Sequence, residues 1–196
     1  MILPIVAYGD PVLRKVSKAI EKDYPNLDQL IENMWETMYA SHGVGLAAPQ
    51  IGKAIRLFVI DAAPFADDED LDQEQRESLA DAKMVFINAK IIEETGEEWS
   101  FNEGCLSIPD VREDVQRKPT VTIEYFDEQF EKKTQTFEGI LARVIQHEYD
   151  HIEGILFTDK LSPLKKRMLK GKLSNISKGK IEVDYRMRFP ELKKRR

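Results

Sequence analysis

Residues 140–153 carry two superimposed patterns that together leave few folds open. Ile140, Leu141, Val144, Ile145 and Ile152 recur with helical spacing, and Gly154 is placed to end the helix. The same run contains His147-Glu148-Tyr149-Asp150-His151. Residues four apart on a helix share a face, so the two imidazoles converge on one point with Glu148 beside them. This is the spacing of a metal-binding helix with an adjacent general base. Such a helix has to sit centrally, and another segment has to bring a further ligand, because a catalytic site combines three protein ligands with a position open to water.

The third ligand is not on the helix. Gly154 fits the pattern that continues to a third histidine, but that position is Phe157. The acids after Asp159 are Glu182, Asp184 and Glu191, in an expected strand and tail. Cys105 remains: an isolated cysteine is more often a small core hydrophobe, yet its thiolate is a strong ligand for a divalent ion. A Cys-His₂-water set suggests zinc first, with iron(II) as the alternative. One cysteine forms no internal disulfide, so the fold does not depend on an oxidising compartment. No apolar run approaches the ~20 residues of a membrane span, and residues 1–11 lack the pattern of a targeting peptide. A cytoplasmic address is expected.

Elsewhere the periodicities alternate between helix and strand. Leu27, Leu30, Ile31, Met34, Trp35 and Met38 predict a helix over 27–39, with Asn26 as its cap. Residues 56–61 and 84–88 are short β-rich runs, and 121–126 and 131–137 flank Asp127 and Glu128 as a hairpin would. Residues 164–176 read as a basic helix and 181–187 as a strand. Residues 66–82 hold eight acids and one arginine, which predicts an exposed surface insertion with a helical turn, not a working site. For 196 residues, 42% of them hydrophobic, these elements predict one domain over 1–196. The expected fold is α+β, with small, mostly antiparallel sheets packed around the metal-binding helix and the 27–39 helix against the outside. The net charge of −6 conceals an asymmetry: residues 160–196 carry 14 basic and 3 acidic side chains. That basic segment fits contact with RNA and fits an ordinary solvated helix equally well.

Three segments, Gly43-Val44-Gly45-Leu46-Ala47-Ala48-Pro49-Gln50, Glu103-Gly104-Cys105-Leu106-Ser107 and His147-Glu148-Tyr149-Asp150-His151, resemble the three signature motifs of the peptide deformylase family in order and spacing. The similarity runs from Leu3-Pro4-Ile5 through Arg112, Arg117 and Asp127 to Leu161-Ser162-Pro163. The chain departs from the commonest bacterial pattern over 66–82 and after Leu173.

The resemblance implies removal of the formyl group from the N-terminal formyl-methionine of newly synthesised proteins. It implies one divalent metal ion held by Cys105, His147 and His151, iron(II) natively, with zinc, nickel or cobalt able to substitute. Metal-bound hydroxide would attack the formyl carbon, with Glu148 as base and then acid. The Gln50 side-chain amide and the Leu106 N–H would stabilise the charge developing on the formyl oxygen. The peptide would lie as an added strand against the backbone around Val44, Gly45 and Gly104. Its methionine would enter an apolar pocket of Val44, Phe101, Leu106 and Val144, with Glu103 at the rim. Of the remaining polar residues, Arg143 is expected to face solvent, His42 to be structural or near the pocket entrance, and Arg112 to pair with an acid or be solvated. The expected partners are N-formylmethionyl nascent peptides and, through the basic segment 164–196, the ribosome, with neither membrane nor DNA. A zinc endopeptidase shares the helix but not Cys105, and a structural metal module would need four protein ligands and no Glu148.

Overall fold

The computed structural model of the chain describes residues 1–190. In chain order the elements are β1 (Ile5–Val6), α1 (Leu27–Ala40), β2 (Gly45–Ala47), β3 (Leu57–Asp61), α2 (Gln73–Ala80), β4 (Lys83–Thr95) and β5 (Trp99–Cys105). They continue with β6 (Ile108–Arg117), β7 (Thr120–Phe126), β8 (Lys132–Glu138), α3 (Gly139–Ile152), α4 (Pro163–Ser177) and β9 (Met187–Arg188). The fold is α+β. An antiparallel five-stranded sheet runs β2-β3-β4-β7-β8, β5 and β6 form a separate antiparallel hairpin, and β1 pairs with β9 in parallel.

β3 and the first half of β4 are buried on both faces, which explains why β3 reads as an unbroken apolar run. Side chains alternate across a strand. Leu57 and Val59 of β3, with Val85 and Ile87 of β4, join Leu30, Ile31, Met34 and Met38 of α1. Phe58, Ile60 and Phe86 point the other way and join Ala142, Ile145 and Ile152 of α3. Each large side chain buried this way contributes about 1.5–3 kcal/mol. The central strands thereby press α3 from behind and leave its histidine face toward the β5–β6 hairpin. A third cluster, including Val6, Leu13, Ile108, Val111, Leu156, Phe157, Leu173 and Ile176, packs that hairpin and α4 together.

Several sequence expectations need correction. Asn26 precedes α1 but makes no side-chain cap, because its left-handed backbone (φ 55°) departs from the extended conformation in which a cap oxygen reaches the first amides. The acidic stretch is mostly exposed and holds one short helix, α2, which Asp72 and Gln75 cap reciprocally, while Leu79, Ala82, Leu71 and the preceding Phe65 pack with Ile140 and Leu141 of α3. Of the expected 181–187 strand only Met187 belongs to β9, which continues to Arg188, since β1 offers just two pairing residues. The β5–β6 hairpin has no counterpart in the sequence expectations; its alternation is hidden by charged residues on the outer face. Residues 191–196 of the basic segment lie outside the described residues. No described helix is long and apolar enough to cross a membrane.

Candidate metal centre

α3 carries His147, Glu148 and His151, the end of β5 brings Cys105 across from it, and a 3₁₀ turn at Ala48–Ile51 supplies Gln50. The donor atoms of Cys105, His147 and His151 all lie within 4.8 Å of one another, and Cys105 Sγ is 3.3 Å from His151 Nε2. One thiolate and two imidazoles converging on a point suit zinc, iron(II), cobalt or nickel, and leave a position for water. The residues therefore fit the metal that the motif implies. Phe157, standing where a third histidine would be, stacks against the His147 ring at 6.0 Å between centroids.

A buried ionic network fixes the His147 ring. Its Nδ1 lies 2.9 Å from Glu103 Oε2, so that an Nδ1–H donor leaves Nε2 as the ligand atom. Arg117 holds both Glu103 oxygens, at 2.7 and 3.0 Å, and reaches Asp150 at 2.7 Å. Arg143 adds a contact to Glu103 at 3.1 Å. Two carboxylates and two guanidiniums balance, which is the condition for burying them. Burial works to raise the Glu103 pKa, but hydrogen bonds from His147 and Arg117 outweigh it and hold the carboxyl well below the usual range. Burial, reinforced by the charges on His147 and Arg117, pushes His151 well below the ordinary histidine value and favours its neutral, ligating form.

Glu148 is 5% exposed and lies against β2. A Cβ built on Gly45 would meet its Oε1 at 2.5 Å and its Cδ at 2.7 Å, so only glycine lets the carboxyl lie there. Its Oε2 has no hydrogen-bond partner among the described residues. Burial pushes its pKa up to about 7, with the charge on His147 pulling the other way. Gln50 is buried, its Oε1 accepting from the Ala47 N–H at 2.8 Å while Nε2 faces Cys105 Sγ at 3.5 Å and Ser107 Oγ at 3.4 Å.

These groups open onto a cleft of about 780 Å³ whose walls include Val44, Gly45, Gln50, Phe101, Glu103, Gly104, Cys105, Leu106, Val144, His147 and Glu148. His151 lies behind it, buried. The expected site residues thus come together, with amendments. Glu103 does not form a rim; it sits at the cleft's base, 4% exposed, with its carboxyl engaged by His147 and the two arginines. Arg143 does not face solvent: it is 2% exposed, bonds the Val115 and Trp99 carbonyls at 3.0 and 2.7 Å and lies over the Trp99 ring. Arg112 pairs with Asn102, at 2.8 Å to both the side-chain and main-chain oxygens, and not with an acid near the metal donors. His42 is at the cleft mouth, 3.7 Å from Asp184. The nearest neighbours of a Cβ at Gly43, Gly45 and Gly104 would be the chain's own Leu106, Glu148 and Arg112. Sequence reasoning gave no role to Arg117, Asp150, Phe65 and Tyr185, which support or line the site.

An HExxH helix closed by a cysteine from a neighbouring hairpin, with a free carboxyl facing an open cleft, defines a metal-dependent hydrolase. The sequence model of the polypeptide deformylase family matches residues 2–167. The chain is 69% identical to a peptide deformylase of Christiangramia forsetii and 67% identical to one of Flavobacterium johnsoniae, in each case over the whole of both chains. The crystal structure of a peptide deformylase from Legionella pneumophila superposes with a TM-score of 0.76 at 38% identity, covering 92% of this chain and 98% of that one. A peptide deformylase from Thermotoga maritima gives 0.72 at 37% identity, over 83% and 99%. The chain belongs to the polypeptide deformylase family, whose members are metal-dependent enzymes that deformylate nascent peptides.

Proposed function

We propose that the cleft removes the formyl group from N-terminal formyl-methionine, with Glu148 moving the proton. The observation that carries this reading is the placement of the Glu148 carboxyl: buried on the cleft wall next to the Cys105, His147 and His151 donors, yet with one oxygen unpartnered. A carboxyl so placed, and not committed to a partner, can take up a proton and return it. A divalent ion in the Cys105, His147 and His151 donor set supplies acidified water near neutral pH and Lewis acidity. Glu148 accepts a proton as the water oxygen bonds to the formyl carbon. Gln50 Nε2 and the Leu106 N–H donate to the formyl oxygen as it gains charge. When the carbon–nitrogen bond breaks, its electron pair goes to nitrogen and Glu148 delivers the proton there, leaving formate and a free amine.

β2 is an edge strand of the sheet, so a peptide can add to it with main-chain hydrogen bonds that ignore sequence. Methionine then enters among Val44, Phe101, Leu106 and Val144. Iron(II) is the ion we propose for the native enzyme; the donor set accepts zinc, nickel and cobalt on the same grounds. The exposed cations of and after α4, among them Lys166, Arg167, Lys170, Lys172 and Lys178, suit contact with ribosomal RNA, which salt-dependent cosedimentation with ribosomes tests.

Protein reconstituted anaerobically with iron(II) is expected to release formate from a formyl-Met peptide, and far more slowly from a formyl-Asp peptide. Internal peptide cleavage without formate release would favour an endopeptidase instead.

A further inference from the structure

After α4, residues 180–186 cross the mouth of the cleft, and Glu182, Val183, Asp184 and Tyr185 form part of its wall. The match to the family's sequence model spans residues 2–167, so the strap lies outside that match. It is anchored beyond the cleft by the pairing of β9 with β1. Arg188 strengthens the anchor: it lies 3.6 Å from Asp10, and its guanidinium occupies the space a Cβ on Gly52 would need, 2.6 Å away.

Through Tyr185 the strap grips the turn between β5 and β6. The Tyr185 hydroxyl donates to the Leu106 carbonyl at 2.8 Å. From other sides the Tyr8 N–H donates to the Ser107 carbonyl at 2.8 Å, and Gln50 Nε2 reaches Ser107 Oγ at 3.4 Å. Peptide planes are rigid, so the direction of the Leu106 N–H depends on the few soft dihedrals of this turn. Tying down the carbonyls on its two residues restricts those dihedrals. No described residue accepts a hydrogen bond from the Leu106 N–H itself, which leaves that donor free for a ligand.

We propose that Tyr185 is a positioning residue for the reaction: by holding the Leu106 carbonyl it aims the Leu106 N–H at the formyl oxygen. The inference rests on the deformylation reading above and on the role given there to Leu106. Losing an oxyanion donor outright costs about 100- to 1,000-fold in kcat, and loosening one costs less.

The test is Tyr185→Phe, which keeps the ring and removes only the hydroxyl, assayed per bound metal ion so that any change in folding or loading is divided out. Two substrates are compared, formyl-Met amide and a formyl-Met tripeptide. The expected result is a fall in kcat of about tenfold on both, with KM within about twofold of native. The amide signal of Ser107, in the same peptide plane as the Leu106 carbonyl, is expected to shift in the ¹H–¹⁵N spectrum. Unchanged kcat, or a rise in KM confined to the tripeptide, would overturn the proposal and leave Tyr185 as a wall residue. If the native protein releases no formate from either substrate, the deformylation reading fails and the positioning proposal with it; if it releases formate and Tyr185→Phe leaves kcat or the Ser107 signal unmoved, the positioning proposal alone fails.

Discussion

Replacing Glu103 by alanine leaves Arg117 and Arg143 as buried cations without their shared carboxylate, and His147 Nδ1 without an acceptor. Breaking a buried charge pair from one side costs about 3–5 kcal/mol, which urea unfolding of the metal-free protein would register. Glu103→Gln keeps the shape and an acceptor but removes the charge; its metal affinity is expected to fall about 10- to 100-fold, as read by competition with a chelator. Gly45→Ala tests a different contact. The added methyl group collides with Glu148 and not with a metal donor, so activity is expected to fall while metal content stays at one ion per chain. His147, Glu148 and His151 are legible in the sequence because their spacing puts them on one helical face, and Cys105 because it is the strong ligand left when the other candidates fail. Arg117 and Asp150 are not: they lie 33 positions apart, and each resembles an ordinary surface charge until the fold buries them together.

Helix α3 and the strands behind it follow the same division. The apolar periodicity that announces α3, and the unbroken run of β3, come directly from burial on one helical stripe and on two sheet faces. The β5–β6 hairpin escaped because its outward residues are charged, although Phe101, Val111 and Val115 give it an apolar side. In the acidic stretch, eight acids hide from a reading of composition that Leu71 and Leu79, with the preceding Phe65, form a small cluster against α3. The end of α3 offers a sharp test. Gly154 has φ +74°, and a Cβ there would lie 2.8 Å from the Arg14 carbonyl carbon and oxygen, backbone that has nowhere to move. Gly154→Ala is expected to cost about 1–3 kcal/mol of stability, visible as an earlier urea midpoint.

The sheet, the hairpin and the C-terminal strap each contribute one wall of the same cleft, so metal binding links parts of the molecule that are distant in sequence. An ion that binds only the folded chain adds about 4 kcal/mol of stability at a thousandfold excess over its Kd. Chelation is therefore expected to lower the melting temperature, and restoring the ion to recover it. In the proposed reaction Glu148 transfers the proton without holding the metal. Formate release from a formyl-Met peptide, measured per bound ion for native protein and Glu148→Gln, tests that role directly. Equal metal content and a rate at least about 100-fold lower are expected for the variant. A variant that retains its metal and works at a comparable rate, or one that loses activity only because the metal is gone, would contradict that role.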